Sequence, residues 1–276
     1  MSESKKRVVL ITGASAGMGK ATANLLLQQG YIVYGAARRV ERMKDLEAKG
    51  GHILEMDVTD DQSMQNGIDR IIREQGRIDV LFNNAGYGSF GAVEDVPMEE
   101  ARRQMEVNLF GASRLTQLVL PFMRAQQYGK IINNSSVGGK VHTLLGAWYH
   151  AGKHALEGYS DCLRLEVAPF GIDVVVIEPG IVESEWGEVA LEHIRKTSSH
   201  TPYHKMAEAA IGMFGQVKNP ASPDVIAHVV LKAIEARKPK TRYAAGKQAR
   251  SVLLLRKVLS DRMMDRVIYR MFKFNI

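Results

Sequence analysis

The chain carries a single cysteine, Cys162, among 276 residues. An internal disulfide is therefore excluded, and no cysteine cluster exists to hold zinc or an iron–sulfur group, so a reducing cytoplasm is the compartment the composition fits. No run of about 18 apolar residues occurs, which argues against a spanning helix. The stretch Met1 to Arg7 is polar and basic, unlike a secretory signal. Internal repeats and low-complexity segments are also lacking. With 45% hydrophobic and 24% charged residues, the composition is that of an ordinary globular chain, not a disordered or collagenous one. The length suits one large domain and leaves no room for a second enzyme.

The formal net charge is +7, but it is unevenly placed. From Lys247 to Ile276 eight lysines and arginines stand against Asp261 and Asp265, a local +6 that leaves the first 246 residues at +1. A nearly neutral body argues against nucleic acid as a partner.

Short β-branched apolar runs alternate with longer amphipathic stretches: Val8 to Ile11, Tyr31 to Ala36, His52 to Met56, Asp79 to Phe82, Lys130 to Asn134 and Asp173 to Ile177. This rhythm predicts an α/β fold, a doubly wound parallel sheet of the Rossmann type, with ligands beyond the carboxyl ends of the strands. Between Gly180 and Pro220 the pattern becomes irregular, predicting a substrate-lid insertion over about 181–218. A helix (Pro223 to Ala236) and a strand (Arg242 to Ala245) then rejoin the sheet. The single domain spans 1–246, and 247–276 forms a basic, amphipathic helical tail.

Val8 to Thr12 runs directly into Gly13, Ser15, Gly17, Met18 and Gly19. Glycines after a first strand permit a tight turn and let backbone N–H groups meet a pyrophosphate at a helix N-terminus. The segment Gly13-Ala14-Ser15-Ala16-Gly17 also matches a nucleophile elbow, which would make Ser15 the serine of a hydrolase, but no Asp/His pair follows at strand ends. The second strand ends on Ala37, Arg38 and Arg39, where an acidic ribose reader for NAD would stand. Guanidinium suits the 2′-phosphate of NADP instead; the plain alternative is a solvated basic turn. Asp57 offers an acceptor for adenine; the plain alternative is a helix or turn cap.

Thr12-Gly13-x3-Gly17-x-Gly19, Asn83-Asn84-Ala85-Gly86, Asn108, Ser136, Tyr149-x3-Lys153 and Pro179-Gly180 resemble, in order and spacing, the motifs of the short-chain dehydrogenase/reductase family, from about Arg7 to Tyr243. Tyr149 and Lys153 share one helix face, and an ammonium there would lower the phenol's pKa. The resemblance implies that Tyr149 is the general acid/base, that Lys153 binds the nicotinamide ribose, that Ser136 polarises the substrate carbonyl, and that Asn108 holds a relay water. It implies a coenzyme-binding role for Asn83, Ala85 and Gly86, where glycine admits the adenosine ribose and asparagine can tie neighbouring strands, and for Pro179, Gly180, Ile181 and Ser184, the last bonding the nicotinamide carboxamide. Ser184 stands where the family commonly has threonine. Gly152, beside the pair, lowers helix propensity. A non-catalytic NADP-binding sensor on the same fold is the rival reading. The pairs His150/His154 and His200/His204 have chelating spacing but no third ligand, so no metal is expected. Family likeness further implies a homodimer or homotetramer through the long helices bearing Asn108 and Tyr149.

Tyr87, Phe90, Val93, Leu144, Leu145, Trp148, Trp186, Met206, Met213 and Phe214 are candidates to line a pocket for an apolar ketone or alcohol: a steroid, retinoid, acyl or aryl ketone. Packing beneath the lid or between subunits is the plain alternative for many of them. The tail would cap a neighbouring subunit, roof its own pocket, or make a peripheral membrane contact.

Overall fold

Val8, Val9, Leu10 and Ile11 are all buried, as a strand covered on both faces must be. The computed structural model describes residues 6–274; most of the polar amino-terminal stretch and the last two tail residues lie outside the described residues. In chain order the elements are β1 (Val8–Thr12), α1 (Gly17–Gln28), β2 (Ile32–Ala37), α2 (Lys44–Glu47), β3 (His52–Glu55), α3 (Asp61–Gln75), β4 (Val80–Asn83), α4 (Met98–Met105), α5 (Gly111–Gln126), β5 (Gly129–Asn134), α6 (Ala147–Val167), β6 (Ile172–Pro179), α7 (Trp186–Ser198), α8 (His204–Gly215), α9 (Asp224–Glu235), β7 (Arg242–Ala245), α10 (Ala249–Val258) and α11 (Asp261–Met271). The seven strands pair in parallel in the order β3-β2-β1-β4-β5-β6-β7. The expected strands are all present, with ends displaced by a residue or two.

Chain direction across the sheet reverses beside β1, where Val9 pairs with Val33 of β2 on one side and Val80 of β4 on the other. At such a switch point the loops leaving neighbouring strands diverge and open a crevice. One face of the sheet packs Ala23 and Leu26 of α1 with Ile226 and Val230 of α9. The other packs Ile68 and Ile71 of α3, Leu115 and Val119 of α5, and Leu163 of α6.

A third cluster lies beyond the strand ends and joins distant parts of the chain. Tyr149, Phe90, Ala190 and Ile194 of α7, Ala207 and Ala210 of α8, and Met264, Ile268 and Phe272 of the tail share it. The irregular insertion is thus two helices with buried inner faces. The tail folds back on its own domain, packing against the lid. Its entry is fixed by a backbone bridge in which Ile181 N–H donates to Lys247 C=O at 2.9 Å and Lys247 N–H to Ile181 C=O at 3.2 Å.

One buried cation serves the fold alone. Lys130, 2% exposed on β5, donates to the carbonyls of Ala233, Ile234 and Ala236 at 2.9, 2.8 and 2.5 Å, capping the C-terminus of α9. Lys130→Met keeps the volume but strands those carbonyls, so urea unfolding should show a loss of about 2 kcal/mol.

Candidate active site

The loop after β1 is shaped by its glycines in two ways. Gly13 and Gly17 have φ of +66° and +52°, a region that side chains rarely adopt. Gly19 instead has no room: a Cβ there would lie 2.4 Å from the Gly13 carbonyl oxygen and 2.5 Å from Asn84 Nδ2. The N-cap of α1 is Ala16, which makes no side-chain cap, and the first turn holds no acidic residue. The first N–H groups of α1 therefore have no side-chain partner, beside a cleft of about 1060 Å³ that Gly13, Ser15, Gly17 and Met18 line. Ser15 is 7% exposed and makes no hydrogen bond to a histidine or carboxylate among the described residues, so the elbow reading lacks its base.

At one end of this cleft stand Arg38, Arg39 and Asp57. Arg38 is exposed, 4.0 Å from the Asp57 carboxylate. Asp57 also accepts from the Thr59 N–H at 2.9 Å and its hydroxyl at 2.8 Å, so it is a turn cap that borders the cleft. Burial opposes its ionisation, yet the Thr59 bonds and the Arg38 charge hold its pKa below the usual range. Arg39 behaves differently: with Arg42 it grips Glu185, the lid residue before α7, at 3.0 and 2.5 Å. Pro179, Gly180, Ile181 and Ser184 line the cleft, and a Cβ on Gly180 would lie 2.2 Å from the Lys247 carbonyl oxygen.

Beneath the floor, amides cross-link the strand ends. Asn83 donates to Asn133 at 2.9 Å, Asn133 to Ser160 at 2.9 Å, Asn134 to Asn84 at 3.0 Å, and Asn84 to the Thr12 carbonyl at 2.9 Å. Ala85 and Gly86 reach the lining, whereas Gly19, Asn83, Asn108 and Lys153 lie behind it. Gly19 and Asn83 are packed beneath the surface that Gly13, Gly17, Ala85 and Gly86 form. Asn108 sits in a single π-helical turn, Glu106–Phe110, between α4 and α5. Its side chain accepts from Tyr87 N–H at 3.0 Å and donates to Tyr87 C=O at 2.8 Å. The amide expected to hold a water is thus committed to the loop after β4.

Ser136 and Tyr149 both line the cleft. Ser136 Oγ accepts from Gly138 N–H at 2.9 Å, and a Cβ on Gly138 would lie 3.0 Å from the Tyr149 ring. Tyr149 is 8% exposed, held by Phe90 and Trp186 with ring centroids 5.5 and 5.1 Å away. Its pKa runs opposite to the sequence expectation: burial pushes the phenol up to about 12, with the Ser136 hydroxyl opposing. Burial likewise brings Lys153 down to about 8, with Glu157 opposing, while its ammonium donates to the Asn134 carbonyl at 2.7 Å. In so dry a place desolvation outweighs the attraction that a shared helix face suggests. At neutral pH the pair is a protonated phenol over a largely protonated amine.

Comparison with known proteins decides the family. The sequence pattern of the short chain dehydrogenases matches residues 7–194. A 3-ketodihydrosphingosine reductase of Bacteroides thetaiotaomicron is 47% identical over 175 residues, 63% of each chain. An NADPH-dependent 3-dehydrocapnine reductase of Ornithobacterium rhinotracheale is 32% identical over 97% of this chain and 98% of its own. A solved short-chain dehydrogenase from Streptomyces avermitilis superposes with a TM-score of 0.81 at 31% identity, covering 98% of this chain and 96% of that one. The chain belongs to the short-chain dehydrogenase family. As such it is an oxidoreductase acting between CH–OH and C=O groups with a nicotinamide coenzyme.

The dehydrogenase's cleft fits such a coenzyme on its own geometry. Uncapped N–H groups at α1 suit a pyrophosphate, and glycine or alanine at positions 13, 17, 85 and 86 brings backbone to the surface. A Cβ on Gly86 would lie 3.0 Å from Asn108 Oδ1 and 3.7 Å from Lys153 Nζ.

Above the floor the walls are apolar. Of the residues expected to line a pocket, Tyr87, Phe90, Trp186, Met213 and Phe214 do so, Phe90 making edge contacts with Trp186 and Phe214 at 5.4 and 5.5 Å. Val93 instead faces solvent, Leu144 and Leu145 pack against the lid cluster, and neither Trp148 nor Met206 reaches the lining. The tail supplies Val252, Leu255, Met264, Val267, Ile268, Met271 and Phe272, a roof whose place sequence reasoning left open.

The dehydrogenase also has a positioning residue that histidine spacing alone does not reveal. His150 Nδ1 is 2.9 Å from the Gly138 carbonyl and Nε2 is 2.9 Å from Thr143 Oγ1, so a neutral ring ties the Ser136 turn to α6. His154 bonds the His150 carbonyl and His204 that of Thr201; among the described residues no group of three metal-ligating side chains occurs. Burial pushes His150 down to about 4. Between that value and the unfolded imidazole's, near 6.5, the unfolded chain binds a proton that the folded one refuses. Stability therefore falls as pH drops through this window, by up to roughly 3 kcal/mol. Denaturant melts across that range should show the slope in the native protein and a shallower one in His150→Gln.

Proposed function

We propose that this dehydrogenase is an NADP(H)-dependent carbonyl reductase for apolar ketones, those bearing an acyl chain above all, with the reverse alcohol oxidation at the same site. The observation that carries the reading is the position of Tyr149, a protonated phenol where the polar floor meets the aromatic wall. Bound NADPH supplies the hydride. Ser136 then donates a hydrogen bond to the substrate oxygen, and Tyr149 gives that oxygen its proton. Lys153 would return the phenol's proton and would hydrogen-bond the ribose of the coenzyme, with Asn108 fixing the loop after β4 beside it through its bonds to Tyr87. Arg38 reads the 2′-phosphate, with Arg39 secondary because Glu185 already holds it. Ser184 steadies the carboxamide. Two relatives named for reducing ketones, one of them NADPH-dependent, support this choice.

Exposed Phe110 and Leu165, near the start of α5 and on α6, suit a homodimer or homotetramer through those helices. Among the described residues no helix is long and apolar enough to cross a membrane.

The test is incubation with NADPH or NADH and a panel of acyl, aryl and steroid ketones, with esters as controls. Coenzyme consumption dependent on an apolar ketone supports the reading. Coenzyme binding without consumption would assign a sensor, and ester cleavage would restore the hydrolase.

A further inference from the structure

The tail's outward surface is unlike the rest of the molecule. On α10, Ala249 is buried, whereas Leu254 and Val258, one turn apart on the opposite side, are 62% and 66% exposed. Leu255 beside them and Met263 on α11 are exposed too. An amphipathic helix ordinarily turns polar groups outward, so this ridge departs from the pattern that buries Met264 and Ile268. The same two helices and the residues just after them carry Arg250, Lys257, Arg262, Arg266, Arg270 and Lys273, all exposed and without an ion-pair partner among the described residues. The tail's two aspartates are spent elsewhere, Asp261 on Arg256 and Asp265 on His142, each at 2.9 Å. Leu255 and Met271 are both exposed and part of the cleft lining, so the apolar surface continues over the lip of the roof into the pocket.

We propose that the outer face of α10 and α11 docks on an anionic lipid bilayer, with the lip at Leu255 and Met271 turned toward it, so that an apolar ketone enters the cleft from the lipid. The entry route rests on the carbonyl-reductase reading; the docking does not. Large apolar side chains flanked by arginines and lysines are the makeup of helices that lie in a membrane interface, and each such cation adds to attraction for anionic headgroups. A second copy of the chain is the poorer occupant. A two-fold contact through this face would bring two sets of six unpaired cations together.

The experiment is sedimentation of the full chain with vesicles of phosphatidylcholine, with and without phosphatidylserine, at low and high salt. Partition onto the anionic vesicles should exceed that onto neutral ones at least tenfold and weaken with salt. The double variants Leu254→Ser/Val258→Ser and Arg262→Ser/Arg266→Ser, all outside the cleft lining, should each lose about tenfold or more. Their circular dichroism, and their turnover of a short, water-soluble ketone, should stay unchanged. Equal or absent sedimentation with the two vesicle types would overturn the proposal. So would a Leu254→Ser/Val258→Ser variant that keeps vesicle binding while changing from dimer to monomer, which would assign the ridge to self-association. Tyr149→Phe should bind vesicles like the native chain, so failure of the catalytic reading and failure of docking are separately visible.

Discussion

Tyr149→Phe should lower kcat for ketone reduction by about 10² to 10⁴-fold, the range a positioned general acid contributes. The substitution removes one oxygen from a ring fixed by Phe90 and Trp186, so the wall of the cleft and the packing beneath the lid survive. NADPH affinity, measured by fluorescence titration, should change little, because the pyrophosphate site at α1 and the arginines after β2 lie elsewhere along the cleft. Undiminished turnover would remove Tyr149 from the chemistry. The pH profile gives a second readout. Lys153 is needed protonated, and burial sets its pKa near 8, so kcat of the native enzyme should decline as pH rises through that value. The phenol itself, pushed up to about 12, stays a proton donor throughout that range.

Arg38→Asp should lower the preference for NADPH over NADH, as the ratio of kcat/KM values, by about 100-fold. A charge-assisted bond to the phosphate is lost, and a carboxylate that repels the phosphate and can accept from a ribose hydroxyl replaces it. Asp57, 4.0 Å from the guanidinium, lies close enough to add a second negative charge once the arginine is gone. Arg39→Ala should move the ratio much less, since Arg39 is paired with Glu185. An unchanged ratio in Arg38→Asp would reject Arg38 as the phosphate reader.

The strands were legible because doubly covered strands read as continuous apolar runs, and Val8 to Ile11 can hardly be anything else. The glycine loop was legible because Gly13 and Gly17 adopt backbone angles other residues avoid. What sequence left hidden depends on contacts between distant segments. Spacing showed that Tyr149 and Lys153 share a helix face, but not that both are buried, and burial sets the direction of both pKa values. The grip of Glu185 on Arg39 joins residues 146 apart in the chain, and the backbone bonds of Asn108 require a π-helical turn that no local pattern marked. His150 read as an ordinary polar residue until Gly138, twelve positions earlier, was seen beneath it.

The bridge between Ile181 and Lys247 has a consequence for how the pocket is made and altered. The cleft residues Ser136 and Tyr149 lie in the middle of the sequence, whereas much of the ceiling comes from α10 and α11. Because these two parts meet through apolar side chains, one short backbone splice and the Asp265–His142 pair, changes in α10 and α11 should retune which molecules are admitted while leaving Ser136 and Tyr149 in place. Part of the apolar lining is thus encoded apart from Ser136 and Tyr149.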